Sequence, residues 1–169
     1  MNQTLSSWND ISESAALEAM LACCGARRWA SAMAALRPIA NVVELSLAAD
    51  RIWTTMQEAD WIEAFACHPR IGDRKAAHAS QKSVAWSQQE QSTAASAEER
   101  VLSELAAGNA LYEQHFGFTY IVCATGKTAE EMLAILNRRL GNNRATELRE
   151  AAEQQRQITQ IRLGKWLIE

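Results

Sequence analysis

Apolar residues recur every three to four positions along most of the chain, a spacing that predicts helices rather than strands. Asp10 and Glu13 have the spacing of a capping box ahead of Leu17, Met20 and Leu21, and Gly25 supplies a stop. A second helix runs through "RRWASAMAAL" and ends near Pro38, while Val42, Leu45, Leu47, Ile52 and Met56 mark a third. Asp60 and Glu63 repeat the capping-box spacing and open a fourth, with Trp61, Ala64 and Phe65 as its apolar stripe. Pro69 disfavours helical backbone at the residue before it, so this helix is expected to end at His68.

The next stretch, "GDRKAAHASQKSVAWS", is small and polar and reads as turns with one short helical piece. "SQQEQSTAASAEERVLSELAAGNALYEQHF" is helical, with a break near its serines. "FGFTYIVCA" differs from the rest: it is β-branched and aromatic between Gly117 and Gly126, which predicts extended backbone. A lone strand has no pairing partner elsewhere in this chain. Thr128 and Glu131 form another capping box for a helix that stops at Gly141, and the longest helix follows, from about Asn143 to Leu167. The chain shows no repeat, linker or low-complexity segment. The expected fold is all-α, a single-domain helical bundle over residues 1–169 with a short extended segment near residues 117–124.

Composition agrees. At 169 residues the chain can close one hydrophobic core, and only 7 glycines and 2 prolines interrupt it. A net charge of −3 with interspersed signs gives no basic patch, so nucleic acid is not an expected partner. "MNQTLSSWNDISESAALEAM" has neither a basic segment nor a long apolar run, and no stretch nears ~18 consecutive apolar residues. No membrane partner and a cytoplasmic location are therefore expected. Cys23, Cys24, Cys67 and Cys123 show no CxxC spacing and read as reduced structural thiols. His68, His78 and His115 stand far apart without an HxxxH pattern, so no metal is expected.

Three residues break the local rules. His68 at a helix end either answers the helix dipole or sits at the edge of a pocket. Glu90 follows Ser87 at capping-box spacing, yet Ser87, Glu90 and Gln91 around a helix start could also hold a small polar anion. Arg162 falls inside the stripe of Leu148, Ala152, Gln155, Ile158 and Trp166 on the last helix. It either snorkels out along its aliphatic stem or lines a cavity, where its planar fork would bind a carboxylate.

Longer motifs add what these residues do not supply singly. "CCGARRWASAMAALRPI", "DWIEAFACHPRIGD", "WSQQEQSTA", "YEQHFGFTYIVCATGKTAEEMLAIL" and "QITQIRLGKW" occur in one order across roughly residues 8 to 167. In these the chain resembles the 2-oxo-4-hydroxy-4-carboxy-5-ureidoimidazoline (OHCU) decarboxylase family, which completes the route from urate to (S)-allantoin. The resemblance implies an all-α enzyme with no metal or organic cofactor, OHCU as its small-molecule substrate, and a homodimer. It places catalytic roles on His68, Glu90 and Arg162. Substrate binding falls on Pro69, Ser87, Gln91, and on Phe118, Tyr120, Ile121, Val122 and Cys123 of the Phe-Gly-Phe segment. Ile39 departs from the family, standing where many relatives carry an aromatic residue, which concerns packing. Three alternatives stay open: a related decarboxylase with another substrate, a non-catalytic helical interaction domain, and a Cys67–His68 nucleophile pair.

Overall fold

Helix boundaries fall where a side chain can answer the N–H groups that a first turn leaves unpaired. The computed structural model describes residues 2–70 and 99–169. Among these residues it contains eight helices and no strand. They are α1 (Gln3–Asp10), α2 (Glu13–Cys23), α3 (Arg27–Ala35), α4 (Val42–Trp53), α5 (Glu58–Ala66), α6 (Glu99–Phe116), α7 (Ala129–Arg139) and α8 (Arg144–Trp166). The all-α expectation holds.

Capping explains both the agreements and the differences. Thr128 and Glu131 form the reciprocal box at the start of α7, and Asn143 accepts from Thr146 N–H at the start of α8. Asp10, in contrast, is the last residue of α1, a helix with its own cap at Asn2. Ser12, which accepts from Ala15 N–H, caps α2 instead. The box expected at Asp60 and Glu63 is divided between two helices. Asp60 reaches back 2.8 Å to the N–H of Gln57, whereas Glu63 accepts from Arg27 N–H at 3.0 Å. That bond serves the start of α3, whose own N-cap, Ala26, has no side-chain oxygen to offer.

The described chain groups into two compact units, residues 1–64 with 156–169, and residues 65–155. In the first, Trp8 and Trp29 are buried, and their indole N–H groups donate to the carbonyls of Ala16 and Ala49, each at 3.1 Å. Trp166 meets Trp8 edge-on with ring centroids 5.8 Å apart. Asp50 accepts from Arg156 at 3.0 Å and from Gln160 at 2.8 Å, which seats the end of α8 on α4. Ile39 is buried, and both its backbone groups bond the Asn9 side chain at 2.9 Å, so the departure noted above lies in packed structure.

The second unit is organised around a buried ion pair. Arg139 on α7 and Glu147 on α8 both have no solvent exposure. Glu147 Oε1 accepts from Arg139 Nε at 2.7 Å and from the Tyr112 hydroxyl, and its Oε2 accepts from Asn142 at 2.8 Å. Arg139 Nη1 donates 2.6 Å to the carbonyl of Ile121. Its guanidinium also lies 4.9 Å from the Tyr120 ring centroid. Burial penalises the Arg139 charge, yet the hydrogen bond to Glu147 holds its proton above the ordinary arginine range. Burial also pushes the Tyr112 hydroxyl well above its ordinary value, and its bond to Glu147 acts in the same direction. Burial raises Tyr120 likewise, only partly offset by Arg139.

Two expected outcomes follow. Glu147→Ala leaves Arg139 buried and unpaired, so urea unfolding should register a loss of about 3–5 kcal/mol, with Glu147→Gln between it and the parent. Tyr112 and Tyr120 are the only tyrosines in the chain. Their folded-state values lie above the unfolded one, so the stability they contribute is complete below about pH 10 and is lost as pH rises further. Tyrosinate absorbance should appear together with loss of helical circular dichroism, not before it.

Candidate active site

His68 lies where the sequence places it, two residues past the end of α5 and in a bend. Its N–H still bonds the carbonyl of Phe65 at 3.1 Å, closing the final turn before buried Pro69 diverts the chain. Arg70 then forks onto Glu113 of α6 through two 2.6 Å bonds, so the backbone is held on both sides of the histidine. The imidazole is half-buried, and its Nε2 lies 2.7 Å from Oε1 of Gln155, a fully buried residue of α8. Cys67 beside it is half-buried, while Cys23, Cys24 and Cys123 are buried.

The segment at 117–124 belongs to the same unit. It is irregular and not a strand: its two ends make turn bonds, from Gly117 N–H to the Glu113 carbonyl and from Lys127 N–H to the Ala124 carbonyl, and side chains bind its middle. Arg139 takes the Ile121 carbonyl, Gln154 Oε1 accepts from Cys123 N–H at 2.8 Å, and Lys127 Nζ donates 2.7 Å to the Cys123 carbonyl. Gly117 and Gly126, at φ of 81° and 76°, turn the chain into and out of the segment in a region that other residues rarely enter. Phe118, Tyr120, Ile121 and Cys123 are buried and Val122 is half-buried. The Tyr120 hydroxyl donates 3.2 Å to the carbonyl of Met132, and the Phe118 ring packs on Phe65 and Tyr112.

Arg162 belongs to the other unit. Only 1% of it is exposed, so its guanidinium does not snorkel to water, and that reading of the sequence is set aside. Ser87, Glu90 and Gln91 lie outside the described residues. Among the described residues, no group of three or more His, Cys, Asp or Glu side chains could hold a metal ion. No described helix is long and apolar enough to cross a membrane.

Sequence reasoning did not single out Gln154, Gln155, Arg139 or Glu147. A signal existed for Gln155, which lies in the same apolar stripe as Arg162 and is likewise a polar residue in a buried position. Glu147 gave no such sign, because a glutamate in the first turn of a helix ordinarily answers the dipole at the surface.

Known proteins resemble this chain in sequence and fold. The OHCU decarboxylase family profile matches residues 9–164. The chain is 38% identical over 144 residues to the Uric acid degradation bifunctional protein TTL of Arabidopsis thaliana, covering 85% of this chain but 44% of that protein. It is 28% identical over 127 residues to the 2-oxo-4-hydroxy-4-carboxy-5-ureidoimidazoline decarboxylase of Amia calva, covering 75% of this chain and 73% of that one. A crystal structure of an OHCU decarboxylase in the presence of (S)-allantoin superposes with a TM-score of 0.76 at 36% identity, over 88% of this chain and 96% of the other. With the profile spanning nearly the whole chain, the protein belongs to the OHCU decarboxylase family.

Proposed function

We propose that the chain is a cofactor-independent decarboxylase that converts OHCU to (S)-allantoin in urate degradation. The observation that carries this reading is His68, released from α5 by Pro69 and held by Gln155 within a chain of this family. The substrate carries a carboxylate and a hydroxyl on one ring carbon, beside a carbon–nitrogen double bond. When the bond to the carboxylate breaks, carbon dioxide leaves and the electron pair forms a double bond between the two ring carbons. The imine pair moves onto the ring nitrogen, which takes a proton. The hydroxyl then gives up its proton as a carbonyl forms, and the ureido-bearing carbon takes one on a single face, which fixes the S configuration. Net, one proton is consumed.

The imine is therefore the electron sink, and the protein's work is proton transfer and orientation. His68 serves as general acid/base at the hydroxyl and carboxylate, for which an imidazole suits neutral pH. Following the resemblance, Glu90 bonds ring or ureido N–H groups and relays a proton, and Arg162 binds a carboxylate or carbonyl oxygen. Pro69 and Ser87 border the substrate, and Gln91 holds the ureido arm with backbone N–H groups of the Phe118–Cys123 segment. The Cys123 N–H is already bonded to Gln154, so these contacts fall to Tyr120, Ile121 and Val122. The enzyme acts as a homodimer in the cytosol.

The experiment supplies urate with urate oxidase and hydroxyisourate hydrolase, then follows allantoin by circular dichroism. Rapid appearance of the S enantiomer, unchanged by a metal chelator, is expected; racemic product at the uncatalysed rate would sink the proposal. His68→Asn, folded as judged by its helical dichroism, should lose on the order of 10²- to 10⁴-fold in kcat. Arg162→Lys keeps the charge but loses the planar fork, and kcat/KM should fall.

A further inference from the structure

We propose that Gln155 is a positioning residue that fixes the tautomer of His68, with the ring proton on Nε2 and the basic lone pair on Nδ1. This rests on His68 being the acid/base of the reaction above. The donor assignment follows from valence. Gln155 presents Oε1, a carbonyl oxygen that can only accept, at 2.7 Å from Nε2. Nε2 therefore carries the hydrogen, and a neutral imidazole with a proton on Nε2 has its lone pair on Nδ1. Every proton that His68 exchanges passes through Nδ1.

Burial gives the bond its authority. Gln155 has no solvent exposure, so bulk water does not compete with the ring for its carboxamide oxygen. Its backbone belongs to the longest described helix, and the preceding residue, Gln154, is bonded to Cys123 N–H. Two consecutive residues of α8 thus hold two elements of the same unit, the His-Pro exit through Gln155 and the 117–124 segment through Gln154. On the other side, the Phe65 carbonyl and the Arg70–Glu113 fork fix the His68 backbone.

The acceptor's chemistry matters as much as its place. A carboxamide does not titrate, and it accepts from Nε2 whether the ring is neutral or protonated. Gln155 can thus orient the ring through a complete cycle of proton uptake and release at Nδ1. A carboxylate would orient the ring equally well but would favour its charged form.

The test reads the tautomer directly, by 15N–1H correlation of the imidazole nitrogens in the full chain, with His68 assigned by its loss in His68→Asn. In the wild type, neutral His68 should show a proton on Nε2, protected from exchange with water. Gln155→Leu should lose that protection and exchange tautomers, with kcat lower by on the order of 10- to 100-fold and KM little changed. Gln155→Glu should restore the protected Nε2 proton. A wild-type ring protonated on Nδ1 overturns the proposal, as does a Gln155→Leu protein that keeps both the protected proton and the wild-type kcat. Should Gln155→Leu fail to fold, the wild-type spectrum decides alone, and Gln155→Met replaces it for kinetics. The spectrum needs no turnover, so failure of the decarboxylase reading and failure of this assignment give different results.

Discussion

A guanidinium with no solvent exposure persists only where its charge and its N–H donors are answered inside the protein. Arg139 meets that requirement with partners from three places: Glu147 on α8, the Ile121 carbonyl, and the faces of Tyr120 and Tyr112. Each partner is constrained in return. Glu147 is positioned to receive Tyr112 and Asn142 as well, and Ile121 gives up its carbonyl without a neighbouring strand. Removing the charge from either side would leave its counterpart buried alone, so α6, α7, α8 and the 117–124 segment depend on one another through this pair. That dependence holds a stretch of β-branched and aromatic residues without helix or strand inside a helical protein.

The same economy appears along α8. Glu147, Gln154, Gln155 and Arg162 follow at steps of seven, one and seven residues, so Glu147, Gln155 and Arg162 recur about every two turns on a largely apolar face. Three of the four are buried outright and Gln154 is half-buried. Each polar side chain on that face costs stability unless it has a partner: Glu147 meets Arg139 and Tyr112 of neighbouring helices, while Gln154 and Gln155 meet the irregular segments at Cys123 and His68. The helix supplies rigid spacing to which the irregular segments are tied. Precision at a site is more easily held this way than by loops bonded only to one another.

The fold was legible in the sequence because helix periodicity and caps are local. Thr128, Glu131 and Gly141 located α7 correctly, and the length of α8 followed from its stripe. One mis-assigned cap, Ser12 in place of Asp10, lies two residues away; the other arose where a side chain chose a distant partner over a near one. Glu63 fits a local box by spacing, yet it caps α3 from 36 residues away, and no pattern within either segment contains that choice. His68 and Arg162 were visible as violations of local rules. Gln155 was visible in the same way, but a carboxamide in an apolar stripe is less conspicuous than a charge. The Arg139–Glu147 pair was not legible, since both residues occupy helix ends where charges of their sign are ordinary surface features.

The acid/base role proposed for His68 gives a reason for an uncharged carboxamide behind its ring. In the proposed reaction the substrate's imine accepts the electrons, so the protein need not supply a strong electrophile. What remains is to keep one ring nitrogen at one place while its proton comes and goes. A charged acceptor behind the ring would bias that exchange, and an absent one would leave the ring free to turn. A buried carboxamide avoids both, provided that its own position is fixed. The helix bearing Gln155 begins at Arg144, and Glu147 in its first turn is the anchor of the buried ion pair. The rigidity that stabilises the second unit is therefore continuous, along a single helix, with the rigidity that orients His68.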